Sequence, residues 1–277
     1  MRLGHHHELW WREAMTKYAQ LVVGPAGVGK STYCHTVQEH CASVKRNVHV
    51  VNLDPAAERF KYQGTEDVRE LVTVEDAMEE MELGPNGALV FCMEYLEDNL
   101  EEWLGPIVES FAEDDYVLFD CPGQVELYTH LTVFKTIVQQ LQNWGFQVCA
   151  VYLLDAQYLN DVTKFIAGTL TALSTMVQLE LPHVNVVTKM DLVQNKQEIE
   201  SFLDADAQSL LYFLNRDMSP SYARLNAALA QVADEYGMVT FATLDPTDEE
   251  SVADLLQQVD HAIQYGEDLE VQTTYDG

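Results

Sequence analysis

Residues Gly24 to Ser31 read Gly-Pro-Ala-Gly-Val-Gly-Lys-Ser and match the pattern G-x-x-x-x-G-K-[ST] at every fixed position. An apolar run over residues 18–23 precedes the pattern, and a stretch of helical character over residues 31–41 follows it. Glycines in such a turn let backbone N–H groups point inward around phosphate oxygens. The following helix N-terminus adds its positive dipole end. Gly24, Pro25, Ala26, Gly27, Val28, Gly29, Lys30, Ser31 and Thr32 are therefore the expected nucleotide-binding residues of this loop. Lys30 reaches for the terminal phosphates, and the Ser31 hydroxyl ligates Mg²⁺. Val28 is expected to matter only through its backbone. The plainer alternative is a glycine-rich turn that fits the pattern by chance.

The rest of the chain suits such a loop. Strand-like apolar runs recur at residues 19–23, 48–53, 88–91, 116–119, 148–154, 184–187 and 238–241. Helical stretches over residues 127–144, 162–179, 197–203, 222–236 and 251–265 fall between or after them. Alternation of this kind predicts an α/β fold with a mostly parallel sheet and helices on both faces. Ligands then collect at the carboxyl ends of the strands. Residues 15–270 read as one domain, with an acidic, mostly helical insertion over about 64–111. Residues 1–14 read as a disordered extension ahead of Met15, and 271–277 as a tail.

Composition narrows the partners. Fifteen basic residues against 45 acidic ones give a net charge of −30, which repels nucleic acid and anionic membranes over most of the surface. A phosphate ligand must then bind in a local pocket. No apolar run is long enough to span a bilayer, and no secretory signal is visible. The five cysteines form no C-x-x-C pair, which suits a reduced protein in the cytoplasm. No Lys/Arg-rich run is present, so any shuttling to the nucleus would be carried by a partner.

Three further strand ends carry chemistry. Asp120-Cys121-Pro122-Gly123-Gln124 follows the run 116–119. A strand-end Asp of this kind holds Mg²⁺, the Gly123 N–H can meet the γ-phosphate, and Gln124 stands where attacking water is oriented. Glu126 either helps position that water or only complements a helix dipole. Asn52-Leu53-Asp54-Pro55-Ala56 closes the second strand, where Asp54 either orients water or makes an Asp-Pro turn. Thr188-Lys189-Met190-Asp191 follows the run 184–187. There the Asp191 carboxylate can accept from two adjacent N–H groups of guanine, while Lys189 lays its stem along the base. The alternative for Asp191 is a helix cap.

Gly84-Pro85-Asn86-Gly87 reads on its own as a turn. Taken together with the motifs above, it resembles the GPN-loop GTPases, over about residues 15–270. The runs Leu89 to Tyr95 and Ile263 to Asp268 narrow the resemblance to the third paralogue group of that family. The resemblance implies a P-loop NTPase fold of the SIMIBI type and a dimeric, Mg²⁺-dependent GTPase. It also implies that Asn86 acts in trans on the phosphates of the partner. A heterodimer with a first-paralogue GPN-loop GTPase and a role in RNA polymerase II assembly and nuclear import are implied as well. Thr188 stands where the family usually has Asn. The segment Phe241-Ala242-Thr243-Leu244-Asp245 is the best candidate for the fifth guanine-binding motif. Two rival readings are a nucleotide-stabilised scaffold without turnover and a P-loop nucleotide or polynucleotide kinase. The scarcity of basic residues weighs against the kinase.

Overall fold

The computed structural model describes residues 17–112, 115–129, 131–194, 196, 199, 203, 207–235 and 240–266. The extension 1–14 and the tail 271–277 lie outside them, as do parts of the helix expected at 197–203 and of the strand expected at 238–241.

The sheet has seven strands, all paired in parallel. In chain order they are β1 (Lys17–Val23), β2 (Val48–Asn52), β3 (Glu66–Asp67), β4 (Tyr116–Asp120), β5 (Phe146–Asp155), β6 (His183–Thr188) and β7 (Phe241–Thr243). Their spatial order is β3-β2-β4-β1-β5-β6-β7. The P-loop strand β1 thus lies between β4, which ends at Asp120, and β5. β2, β4, β1 and β5 are near-continuous apolar runs because a parallel sheet is buried on both faces.

Strand alternation sends Ala19, Leu21 and Val23 to one face and Tyr18 and Val22 to the other. The second face is covered by α1 (Lys30–Ser43) and the C-terminal helix α10 (Glu249–Ala262), through Val37, Cys41, Leu255 and Val259. The buried Gln20 ties α1 down as well. Its amide donates to the Tyr116 hydroxyl at 2.8 Å and accepts from the Tyr33 hydroxyl at 2.6 Å.

The first face is covered by the insertion helices and by those that follow β4 and β5. The insertion contributes α2 (Val74–Met81), α3 (Pro85–Asp98) and α4 (Leu100–Ser110). After β4 come α5 (Glu126–Thr129) and α6 (Val133–Asn143), and after β5 comes α7 (Val162–Leu179). The hairpin of α8 (Ala207–Asp217) and α9 (Ala223–Glu235) packs beside α7.

Two expectations are corrected. The run 88–91 is not a strand but part of α3. Gly84 caps that helix, Pro85 occupies its first turn, and Leu89, Cys92, Met93 and Leu96 bury one helical face. Four consecutive apolar residues fit either element, and the spacing that follows them decides. The long helix expected over 127–144 is instead α5 and α6, with Thr132 at the start of the second.

Candidate nucleotide site

The carboxyl ends of β1, β4 and β2 converge on the P-loop. Gly24, Gly27 and Gly29 all have positive φ, at 140°, 77° and 100°. A side chain at Gly24 would place its Cβ 2.6 Å from the Leu153 carbonyl oxygen, so glycine is required there. Gly29 starts α1, and the first turn holds no acidic residue, so the positive helix end faces the loop uncompensated. Lys30 is buried, and its Nζ donates to the Gly24 and Pro25 carbonyls, each at 3.2 Å. Burial lowers the Lys30 pKa, opposed by the charges of Asp120 and then Asp54.

Asp120 is 3% exposed at the end of β4. Burial raises its pKa, and hydrogen bonds from the Ser31 and Tyr62 hydroxyls oppose the shift, as does Lys30. Tyr62 donates to Asp120 Oδ2 at 2.9 Å. A carboxylate beside a hydroxyl is a pair of hard oxygen donors. It would fit Mg²⁺, a hard cation that takes oxygen ligands.

Asp54 is clasped by Asn52. Its N–H donates to Asn52 Oδ1 at 3.0 Å, and its carbonyl accepts from Asn52 Nδ2 at 3.1 Å. Asp54 Oδ1 also accepts from the Ala56 N–H at 2.9 Å, so the turn expected of Asp-Pro is present. Its charge nonetheless acts on Lys30 and Asp120. Burial raises the Asp54 pKa, opposed by that turn bond, Lys30 and Arg69.

Gly123 lies directly on the P-loop, where a Cβ would stand 2.8 Å from Ala26 Cα. The Tyr128 hydroxyl donates to the Pro122 carbonyl and pins this loop. Gln124 is half-buried, and its Nε2 donates to Asn86 Oδ1 of the same chain at 3.1 Å. Gly84-Pro85-Asn86-Gly87, which alone reads as a turn, is the N-terminus of α3. Glu126 opens α5 and is exposed.

On the other side of the P-loop stands the end of β6. The buried Thr188 hydroxyl donates to the Val28 carbonyl at 2.7 Å, with the Leu154 carbonyl at 3.2 Å. Thr188 thus makes a polar tie to the P-loop in place of the usual Asn. Val28 acts through more than its backbone, because its side chain is buried in the core under α1. Lys189 adopts φ 61°, and its Nζ meets Asp155 Oδ2 at 2.6 Å. Asp191 is exposed in the short turn Met190–Leu192. The segment 241–245 runs alongside: Leu244 N–H donates to Val187 O at 2.8 Å, and Met190 N–H to Leu244 O at 3.3 Å.

Several site residues escaped the sequence reading. Asp155 ends the apolar run of β5 just as Asp120 ends β4, so the same strand-end rule would have found it. Tyr62 and Arg69 lie beyond β2 in irregular backbone or a short turn and carry no periodic signal.

The chain resembles known proteins over most of its length. Residues 22–265 match the family described as a conserved hypothetical ATP binding protein. The chain is 53% identical over 265 residues to GPN-loop GTPase 3 of Danio rerio, covering 93% of this chain and 91% of the relative. It is 45% identical to GPN-loop GTPase 3 of Saccharomyces cerevisiae, over 92% and 96% of the two chains. A GTPase from Pyrococcus abyssi, solved in apo form, superposes with a TM-score of 0.74 at 26% identity. That match covers 88% of this chain and 97% of the other. On motif, fold and kinship alike, the chain belongs to the GPN-loop GTPase family.

Proposed function

We propose that the chain binds GTP with Mg²⁺, hydrolyses it, and uses hydrolysis to switch a dimer between two shapes. The observation that carries this reading is the Thr188–Val28 hydrogen bond of 2.7 Å. It ties the strand end bearing Lys189 and Asp191 to the loop bearing Lys30, so base and phosphate residues form one unit. Asp191 favours guanine, whose N1–H and N2–H₂ offer a donor pair that adenine lacks.

Bound Mg²⁺ supplies charge neutralisation at the β- and γ-phosphates, and Ser31 and Asp120 are the residues that would hold it. The Gly27 and Gly29 amides and Lys30 stabilise developing phosphate charge. Asp54, Gln124 and Glu126 are assigned to positioning water for in-line attack.

Family resemblance supports the dimer, with a first-paralogue GPN-loop GTPase as partner and Asn86 acting across the interface. Within the single chain Asn86 rests on Gln124. Asn86→Ala in this chain, assembled with the wild-type partner and read for hydrolysis at each of the two sites, separates the two arrangements. Loss at the partner's site with this chain's own site spared means that Asn86 acts across the interface; loss at its own site means that it acts with Gln124 in cis. The same resemblance supports a role in RNA polymerase II assembly and nuclear import, from a cytoplasmic location with shuttling to the nucleus. Among the described residues no helix is long and apolar enough to cross a membrane.

Calorimetry of GTP, ATP and XTP binding to wild type and Asp191→Asn tests the base assignment. The new amide donor opposes guanine N1–H and suits the xanthine carbonyl. We expect GTP to weaken about 100-fold while XTP gains, a change of about 2.7 kcal/mol. Equal ATP and GTP affinities, unmoved by the substitution, would overturn the reading.

A further inference from the structure

The segment between β2 and β3 is built around aromatic and ionic contacts that no P-loop motif requires. Tyr62 is 4% exposed, and its hydroxyl reaches Asp120 from 58 residues away in sequence. Its ring stacks on Phe60, with centroids 4.3 Å apart and planes at 1°. The Arg69 guanidinium lies 5.0 Å from the Phe60 ring centre. Arg69 in turn grips both Asp67 carboxylate oxygens and donates to the Ala57 carbonyl at 2.7 Å. Asp67 Oδ1 accepts from Asn52 Nδ2 at 2.9 Å, and Asn52 is the residue that clasps Asp54. An unbroken series of contacts therefore runs from Asp120, through Tyr62 and Arg69, to Asp54.

We propose that Tyr62 is a positioning residue that couples the metal-holding carboxylate of Asp120 to the segment carrying Asp54. A buried carboxylate with few donors is free to rotate and poorly compensated. The phenol supplies one directed hydrogen bond and leaves the other oxygen to Ser31 and the metal shell. Partners of this kind orient a ligand and raise its affinity for the metal. Because the same side chain belongs to the 54–67 segment, a shift of Asp120 on metal loading pulls on that segment, and release of the metal relaxes it.

The proposal rests on the reading of Asp120 as a Mg²⁺ ligand, so the test separates the two. Binding of Mn²⁺, a paramagnetic stand-in, to the GDP-loaded protein is followed by electron paramagnetic resonance. Wild type is compared with Asp120→Asn, Tyr62→Phe and Gln38→Ala. Tyr62→Phe keeps the ring stack and removes only the hydroxyl. Gln38→Ala removes the side chain that pairs with the Gln63 backbone at 2.9 and 3.0 Å, loosening the segment without touching Asp120. We expect Tyr62→Phe to weaken Mn²⁺ about 10-fold or more, and Gln38→Ala to leave it within about twofold. Hydrogen exchange of the amides at 56–63 should respond to Mn²⁺ in wild type and not in Tyr62→Phe. Wild-type Mn²⁺ affinity in Tyr62→Phe, or equal losses in Tyr62→Phe and Gln38→Ala, would overturn the role of Tyr62. Unchanged affinity in Asp120→Asn would overturn the metal assignment itself.

Discussion

The phosphate end and the base end of the site are built on different terms. At the phosphate end Lys30, Asp54 and Asp120 are withdrawn from water and feel one another's charge. Each is also held by a hydrogen bond within the protein. At the base end only Thr188 is deeply buried among the motif's polar groups. Lys189 is neutralised by Asp155 with its side chain still 31% exposed, and Asp191 is exposed. Stabilising charge that develops during reaction needs fixed groups in a dry setting, where each is worth more than in water. Choosing a base needs only a difference in affinity between two ligands, which one well-placed carboxylate can supply when the ligand itself covers it.

The largest effect that would test this division comes from removing one lysine at each end. Lys30→Ala should lower hydrolysis roughly 10³-fold, or about 4 kcal/mol, because no other cation of the P-loop reaches the phosphates. Lys189→Ala should weaken GTP about tenfold and leave the turnover of bound GTP nearly unchanged, about 1.4 kcal/mol in binding alone. Single-turnover hydrolysis with saturating GTP separates the two. Comparable losses of the chemical step in both variants would erase the distinction between the ends.

Acid should act with opposite sign on the phosphate end and on the far edge of the sheet, where β6 begins. Burial raises the folded-state pKa values of Asp54 and Asp120, so the folded protein takes up those protons more readily than the unfolded chain. Their effect favours the fold as pH falls through the raised values. His183 begins β6, at the sheet edge opposite the nucleotide site, and neither ring nitrogen has a hydrogen-bond partner. Burial lowers its pKa to about 4. Between pH 6.5 and 4 the unfolded chain therefore binds a proton that the folded chain refuses, and stability is lost by about 2–3 kcal/mol. Denaturant titrations at pH 7 and pH 4.5 should show wild type losing more stability than His183→Leu. Parallel losses would mean that the ring is protonated in the folded state.

How much of this was legible depended on whether a residue sits in a repeating element or answers to one distant partner. The P-loop, Asp120 and Thr188-Lys189-Met190-Asp191 follow apolar strands, and strand ends in a parallel sheet share one edge. Their convergence could be read from spacing alone. The run 88–91 could not, because four apolar residues satisfy both a buried strand and one helical turn. The Leu89–Cys92–Met93–Leu96 spacing resolves it once the window is widened. Tyr62 was invisible for a different reason. Its partner Asp120 is 58 positions away, and the intervening chain of helices and loops has no period that would align them.

The smallest effect concerns the tie between the two ends. Thr188→Val keeps the shape of the side chain and removes the hydroxyl that donates to Val28. It leaves the Val28 carbonyl buried without that donor, and the net loss should be about 1 kcal/mol once the added methyl is counted. If the bond aligns base and phosphate residues, GTP affinity falls with stability, by roughly fivefold for that energy. Thr188→Ser retains the donor and gives up a methyl group. It should lose a similar amount of stability through packing while holding GTP nearly as wild type does. Chemical denaturation and GTP titration on the same three proteins give both numbers. Equal affinity losses in Val and Ser would assign Thr188 to packing, and the base end would then be aligned by Lys189 and Asp155 alone.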